Sequence, residues 1–183
     1  GFTSAQKQFS LSKKYPPAAL IEDTRIIEEV IIKMHPVIGI YNNTEYYNEK
    51  FNRLKKSLTD SLTEKEYRLR LKLLFDDLHC GHTEIWQSKA YSKLLKPIKL
   101  NFLPYYMISV DDKVYVGAAI NPKKDSVLKA GTEILRINNV GVDSILNYSK
   151  HFISGDGYTT TGKNLYLRTG FNYSYPSLFG RPD

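Results

Sequence analysis

His79-Cys80-Gly81-His82 carries the donor types of metal and thiol chemistry within four residues. Zinc sites pair two ligands on one element with two on another. Here no second pair follows: His35 and His151 stand alone, and Asp76 and Asp77 read as solvated helix charges. A cysteine nucleophile needs a base in reach and a third group to orient that base. The pairs Cys80–His82 and Cys80–His79 lack that third group. The cluster therefore reads as a helix end with a buried cysteine and a histidine packed in the turn. No metal ligand, catalytic residue or cofactor is assigned.

A second stretch resembles a phosphate-binding loop. Gly157, Gly162 and Lys163 stand at its spacing, but Asn164 occupies the position where Ser or Thr should hold magnesium. The element before it reads as helix rather than strand, and no clear helix is expected after it. A Thr-rich loop is the simpler reading. The sequence contains no G-x-S-x-G, H-E-x-x-H or calcium-loop pattern. Asn42, Asn147 and Asn172 open N-x-S/T triplets, which matter only in a eukaryotic secretory pathway.

These residues sit in a chain of 183, large enough for one generous domain or two small ones. Hydrophobic residues make up 42% and charged residues 25%, so a core can be built. Tyrosine occurs 14 times, a residue suited to grooves and wet interfaces as well as cores. The net charge is +7, yet the longest basic runs are pairs, and no Arg-rich helix or RNA-binding signature is present. Nucleic acid is therefore not an expected partner. One cysteine excludes an intrachain disulfide, and no run approaches the roughly 18 apolar residues of a membrane span. The start at Gly1-Phe2-Thr3 and the loop-like end at Gly180-Arg181-Pro182-Asp183 suggest a segment of something longer.

The positioning elements are predicted as follows. Residues 1–19 form a polar lead-in arm. Three helices occupy 20–95. The first runs from about Ile21 to Met34, with Ile26, Ile27, Val30, Ile31 and Met34 on one face, and Pro36 closes it. The second is capped by Asn43 or Thr44 and carries Tyr47, Phe51, Leu54 and Leu58. The third opens on the Thr63–Glu66 capping box, repeats Tyr67, Leu71, Leu74, Phe75 and Leu78, and ends at a left-handed Gly81. Short links predict a three-helix bundle. His82 to Trp86 can be extended. Ile98–Val110, broken by Pro104, and Val114–Val116 flank the turn Asp111-Asp112 as a hairpin. A strand over Glu133–Ile137, a turn at Asn138-Asn139 and Gly141, and a helix over Val142–Phe152 capped by Asp143 follow. Residues 161–183 carry no assigned structure. The fold class is α+β.

Lys129 to Val142, with Ala130-Gly131-Thr132, Ile134-Leu135-Arg136-Ile137-Asn138-Asn139 and Val142, resembles the signature of PDZ domains, in particular the bacterial protease-linked kind. Thr132 replaces the usual aspartate and Asn139 the usual turn glycine. Upstream stand Asp77, Leu78, Gly81, His82 and Thr83 at a helix end, then Leu103-Pro104 and Lys113–Val116. Downstream stands Ile153-Ser154-Gly155-Asp156-Gly157. This order resembles the front part of the C-terminal processing (tail-specific) serine peptidases with a helical N-terminal domain. The resemblance covers roughly residues 20–160. It implies a helical domain at 20–95, a PDZ-like domain at 96–160, and a connector at 161–183 toward a Ser/Lys core that no segment here matches. It implies peptide or unfolded-protein partners, that core as a partner within the same chain, and a secreted or periplasmic location. A PDZ domain adds an extended peptide to a sheet edge. The expected contacts are Leu103, Pro104, Tyr105, Tyr106 and Met107 on the edge strand and its loop, and Ile145, Tyr148 and Phe152 on the opposing helix. Pro104 lacks the N–H that such a loop offers a terminal carboxylate, so a lid over the core competes with a receptor for free peptide ends. The alternative is a stand-alone peptide- or protein-binding module.

Overall fold

A computed structural model describes residues 10–96, 103–125 and 127–180. The chain is mixed α and β, in two compact units. The N-terminal unit comprises residues 1–78 and 83–99. The C-terminal unit comprises residues 79–82 and 100–183. Among the described residues, no helix is long and apolar enough to cross a membrane.

In the N-terminal unit, a two-residue strand β1 (Lys14–Tyr15) pairs antiparallel with β2 (Leu62–Thr63). Helix α1 (Pro17–Met34) begins four residues earlier than predicted, on a proline. The fixed φ of proline suits the first helical turn, and its missing N–H has no intrahelical partner to lose there. Helices α2 (Thr44–Ser57) and α3 (Glu64–Asp76) follow, α2 packing against both neighbours. Asn43 is the cap of α2, its Oδ1 accepting the Tyr46 N–H at 2.9 Å. The Thr63–Glu66 capping box is present in full. Short helix α4 (Lys89–Leu95) hangs on α3 through Glu64, which accepts both the Ser88 N–H and its hydroxyl at 2.7 Å.

The buried face of α1 differs from the predicted stripe. Leu20, Thr24 and Ile31 are buried, whereas Ile26, Val30 and Met34 are exposed. The rotation follows a polar contact. Thr24 is fully buried, donates to the Leu20 carbonyl at 2.6 Å and bonds the Tyr67 hydroxyl of α3 at 2.8 Å. A buried hydroxyl needs such partners, and satisfying it turns Thr24 inward.

At the end of α1, His35 Nδ1 accepts the Val37 N–H at 3.2 Å, and Nε2 meets the Thr83 hydroxyl at 2.6 Å. A protonated ring would set a hydrogen on Nδ1 against the Val37 donor. Burial lowers the pKa of His35 below its ordinary 6.5. Because the folded value lies below the unfolded one, this stability is complete above 6.5 and is lost as pH falls through the folded value. The melting temperature of the N-terminal unit is therefore expected to drop on acidification below pH 6.5. His35→Asn should flatten that drop in thermal melts across pH.

In the C-terminal unit, β3 (Tyr105–Val110), β4 (Lys113–Ala119) and β5 (Glu133–Ile134) form an antiparallel sheet in that order. Both central residues of the β3–β4 turn, Asp111 and Asp112, have φ near +50° (49° and 58°). That is the geometry a two-residue hairpin requires. The predicted single strand over Glu133–Ile137 is divided at Leu135. Its second part, β6 (Arg136–Ile137), pairs with β7 (Val140–Gly141) across Asn138-Asn139. The Leu135 carbonyl accepts the Val142 N–H at 3.0 Å, continuing the β6–β7 pairing rather than the pairing of β5 with β4.

Asn138 and Asn139 also take positive φ, 47° and 64°. Asn tolerates this conformation and Gly adopts it without a Cβ penalty. Asn139→Gly should raise stability by about 0.5 kcal/mol, read as a small rise in denaturation midpoint.

Helix α5 (Val142–Lys150) ends before the predicted Phe152 and is capped by Gly141, not Asp143, which lies in its first turn without a side-chain cap bond. The chain then turns at 151–153. The largest departure is α6 (Thr161–Phe179), a 19-residue helix in the segment expected as an unassigned connector. Its Leu167, Phe171 and Tyr175 join Tyr105, Met107, Val114, Val116, Ile145 and Leu146 in the core of this unit.

Candidate functional site

The residues expected to bind peptide divide by burial. Leu103, Tyr105 and Met107 of the β3 segment are buried, as are Ile145 and Phe152. Pro104, Tyr106 and Tyr148 are exposed. The part of the predicted extended stretch at 98–102 lies outside the described residues. Leu103, Tyr105, Met107 and Ile145 share one core, but they do not line an open cleft, because α6 packs against both β3 and α5. The Tyr148 ring meets Phe152 at 4.9 Å and Phe179 of α6 at 5.6 Å between centroids.

The hydrogen bonding of β3 explains how a helix can lie on a strand. Val110 and Lys113 flank the two-residue turn, so Val110, Ile108 and Tyr106 direct their backbone groups toward β4. Tyr105, Met107 and Ser109 direct theirs to the other edge. There the Asn172 side chain of α6 donates from Nδ2 to the Tyr105 carbonyl at 2.7 Å and accepts the Met107 N–H on Oδ1 at 2.7 Å. One primary amide thus takes the two bonds that the N–H and C=O of a single residue in an added parallel strand would take. Pro104 at the head of the strand offers no N–H, and its carbonyl already accepts the Ile120 N–H at 3.0 Å. Among the described residues, Pro104 therefore offers no donor to a terminal carboxylate.

The His79–His82 cluster is also rearranged relative to expectation. The left-handed residue at the helix end is His79, φ 51°, and Gly81 does not have positive φ. Gly81 serves a close approach instead. Its N–H donates to Asp156 Oδ1 at 2.7 Å, and a Cβ there would stand 3.1 Å from the same carboxylate. The Gly157 N–H donates to the His79 carbonyl at 2.9 Å, and the His79 ring lies 4.5 Å from that of Tyr158. Asp156 is a partner that the sequence did not identify; nothing in its local pattern connects it to a loop some 75 residues away. Cys80 is half-buried rather than enclosed.

The phosphate-loop resemblance also changes. A helix does follow, with Gly162 and Lys163 in the first turn of α6. The segment before it remains α5 and its turn, not the strand that such a loop requires.

No protein-family model matches the chain, and a search of curated proteins returns no match.

Proposed function

We propose that this chain is the non-catalytic front part of a secreted or periplasmic C-terminal processing serine peptidase, in which a PDZ-like module gates peptide access. In this reading α1, α2 and α3 are the three-helix N-terminal bundle, and β3 through α5 are the PDZ-like module. Its partners are peptide or unfolded protein and the Ser/Lys core of the same protein. The order of the motifs supports the assignment, and one observation carries the gating: the Asn172 amide on the free edge of β3. An edge that already holds a strand-like partner is chemically suited to accept an extended peptide, and it is closed while α6 stays in place. The gating reading is favoured over an open receptor for peptide termini because Pro104 removes a donor.

The test is a titration of the chain with free-carboxylate peptides, followed by fluorescence anisotropy. The parent chain should bind at millimolar concentration or more weakly. Asn172→Ala removes two hydrogen bonds from the closed state, each with a net worth of about 1 kcal/mol, and should tighten binding roughly tenfold or more. The chain alone should cleave no peptide. Absence of binding to both proteins overturns the gate, and turnover abolished by a serine-acylating reagent overturns the non-catalytic reading.

A further inference from the structure

Beyond peptide gating, we propose that Cys80, His82 and Asp156 form a binding site for a divalent transition-metal ion of the zinc class. One ligand atom from each of the three residues lies within 4.8 Å of the other two, the one such group of three found among the described residues. All three belong to the C-terminal unit. Cys80 and His82 come from the loop after α3 and Asp156 from the loop after α5.

The donor set selects the ion. Thiolate and imidazole favour zinc, cobalt or nickel over magnesium and calcium, which prefer oxygen alone. Metal–ligand bonds of about 2.0–2.3 Å in a tetrahedron place donors about 3.3–3.8 Å apart. His82 Nδ1 and Asp156 Oδ1 already stand 3.9 Å apart. The remaining contraction is at most about 1.5 Å, within reach of side-chain rotation, since the His82 side chain is 90% and that of Asp156 68% exposed. The two loops are held together without the ion by the Gly81–Asp156 and Gly157–His79 hydrogen bonds. The first of these orients the carboxylate as an outer partner of a metal ligand does. On binding, the Cys80 thiol releases its proton to solvent and coordinates as thiolate. Three protein donors leave a fourth position for water or an added ligand, the arrangement of open rather than closed zinc sites.

The experiment is a titration of the full, untagged chain with cobalt(II), then with zinc(II) in competition. One equivalent of cobalt should produce a thiolate-to-metal absorption band in the near ultraviolet, which zinc then removes. Cys80→Ser should abolish the band. His82→Ala and Asp156→Asn should each weaken zinc binding more than about tenfold, the least expected when a ligand is lost. His151→Ala should change nothing. His82 is exposed, so H82A keeps the fold and separates loss of metal from loss of structure, with circular dichroism as the check. Absence of the band in the parent chain overturns the site. So does zinc affinity unchanged in H82A and D156N.

Discussion

Replacing Phe171 by Ala should lower the stability of the C-terminal unit by about 3–5 kcal/mol, the cost of a buried aromatic plus the cavity it leaves. Phe171 has no exposed surface and packs in the core with Leu167 and Tyr175 of its own helix. It also stacks on Tyr175 at 6.1 Å between centroids. A loss of that size approaches the whole stability of a small domain. Hydrogen exchange read peptide by peptide is the direct measurement. Protection should fall across residues 103–119 and 142–150 and stay unchanged across α2 and α3. Retained protection in β3 would show that α6 is a dispensable appendage and not part of this core. The result bears on the proposed gating as well, since a helix contributing this much would be released only when something of comparable affinity replaces it.

The matching substitution in the other unit is Phe51→Ala. Phe51 and Tyr47 stand one turn apart on α2, and neither has exposed surface. The Tyr47 hydroxyl donates to the Asp77 carbonyl at 3.3 Å, and Lys50 meets the Asp77 carboxylate at 2.8 Å, so α2 holds the end of α3 from several positions. Removing Phe51 should cost the N-terminal unit about 3–5 kcal/mol. Denaturant unfolding, with exchange to assign the transition, should show loss of protection in α1 through α3. An effect under about 1 kcal/mol would mean that the site collapses around the missing ring.

The elements legible in the sequence are those built from local chemistry. Thr63 and Glu66 announce a helix start because the two side chains satisfy each other's backbone donors, whatever surrounds them. Asp111-Asp112 and Asn138-Asn139 announce tight turns because few residue pairs tolerate two successive positive φ values. The illegible parts depend on long-range partners. Helix α6 contains Gly162, Gly170, Pro176 and several Ser, Thr and Tyr residues, a poor set by intrinsic propensity. It forms because Leu167, Phe171 and Tyr175 fill a hollow made by β3 and α5. The buried face of α1 departs from its apolar stripe for a related reason: hydrophobic periodicity alone cannot register that Thr24 is drawn inward by Tyr67. The placement of the expected contact residues near β3 and α5 is legible from local pattern. Their closure by Asn172 and the approach of Asp156 to Gly81 are not, because each joins segments 65 or more residues apart.

The Asn172 amide has a second consequence, for behaviour in concentrated solution. A strand with open backbone groups along one side is a template on which another copy can add, and then another. In the β3–β4–β5 sheet one terminal strand, β5, is only two residues long, too short to nucleate such growth. The other terminal strand, β3, has two of its outward groups, the Tyr105 carbonyl and the Met107 N–H, occupied by a side chain from its own molecule. A single asparagine therefore covers the middle of the edge on which another molecule would add, and chains that lose it should be the first to associate.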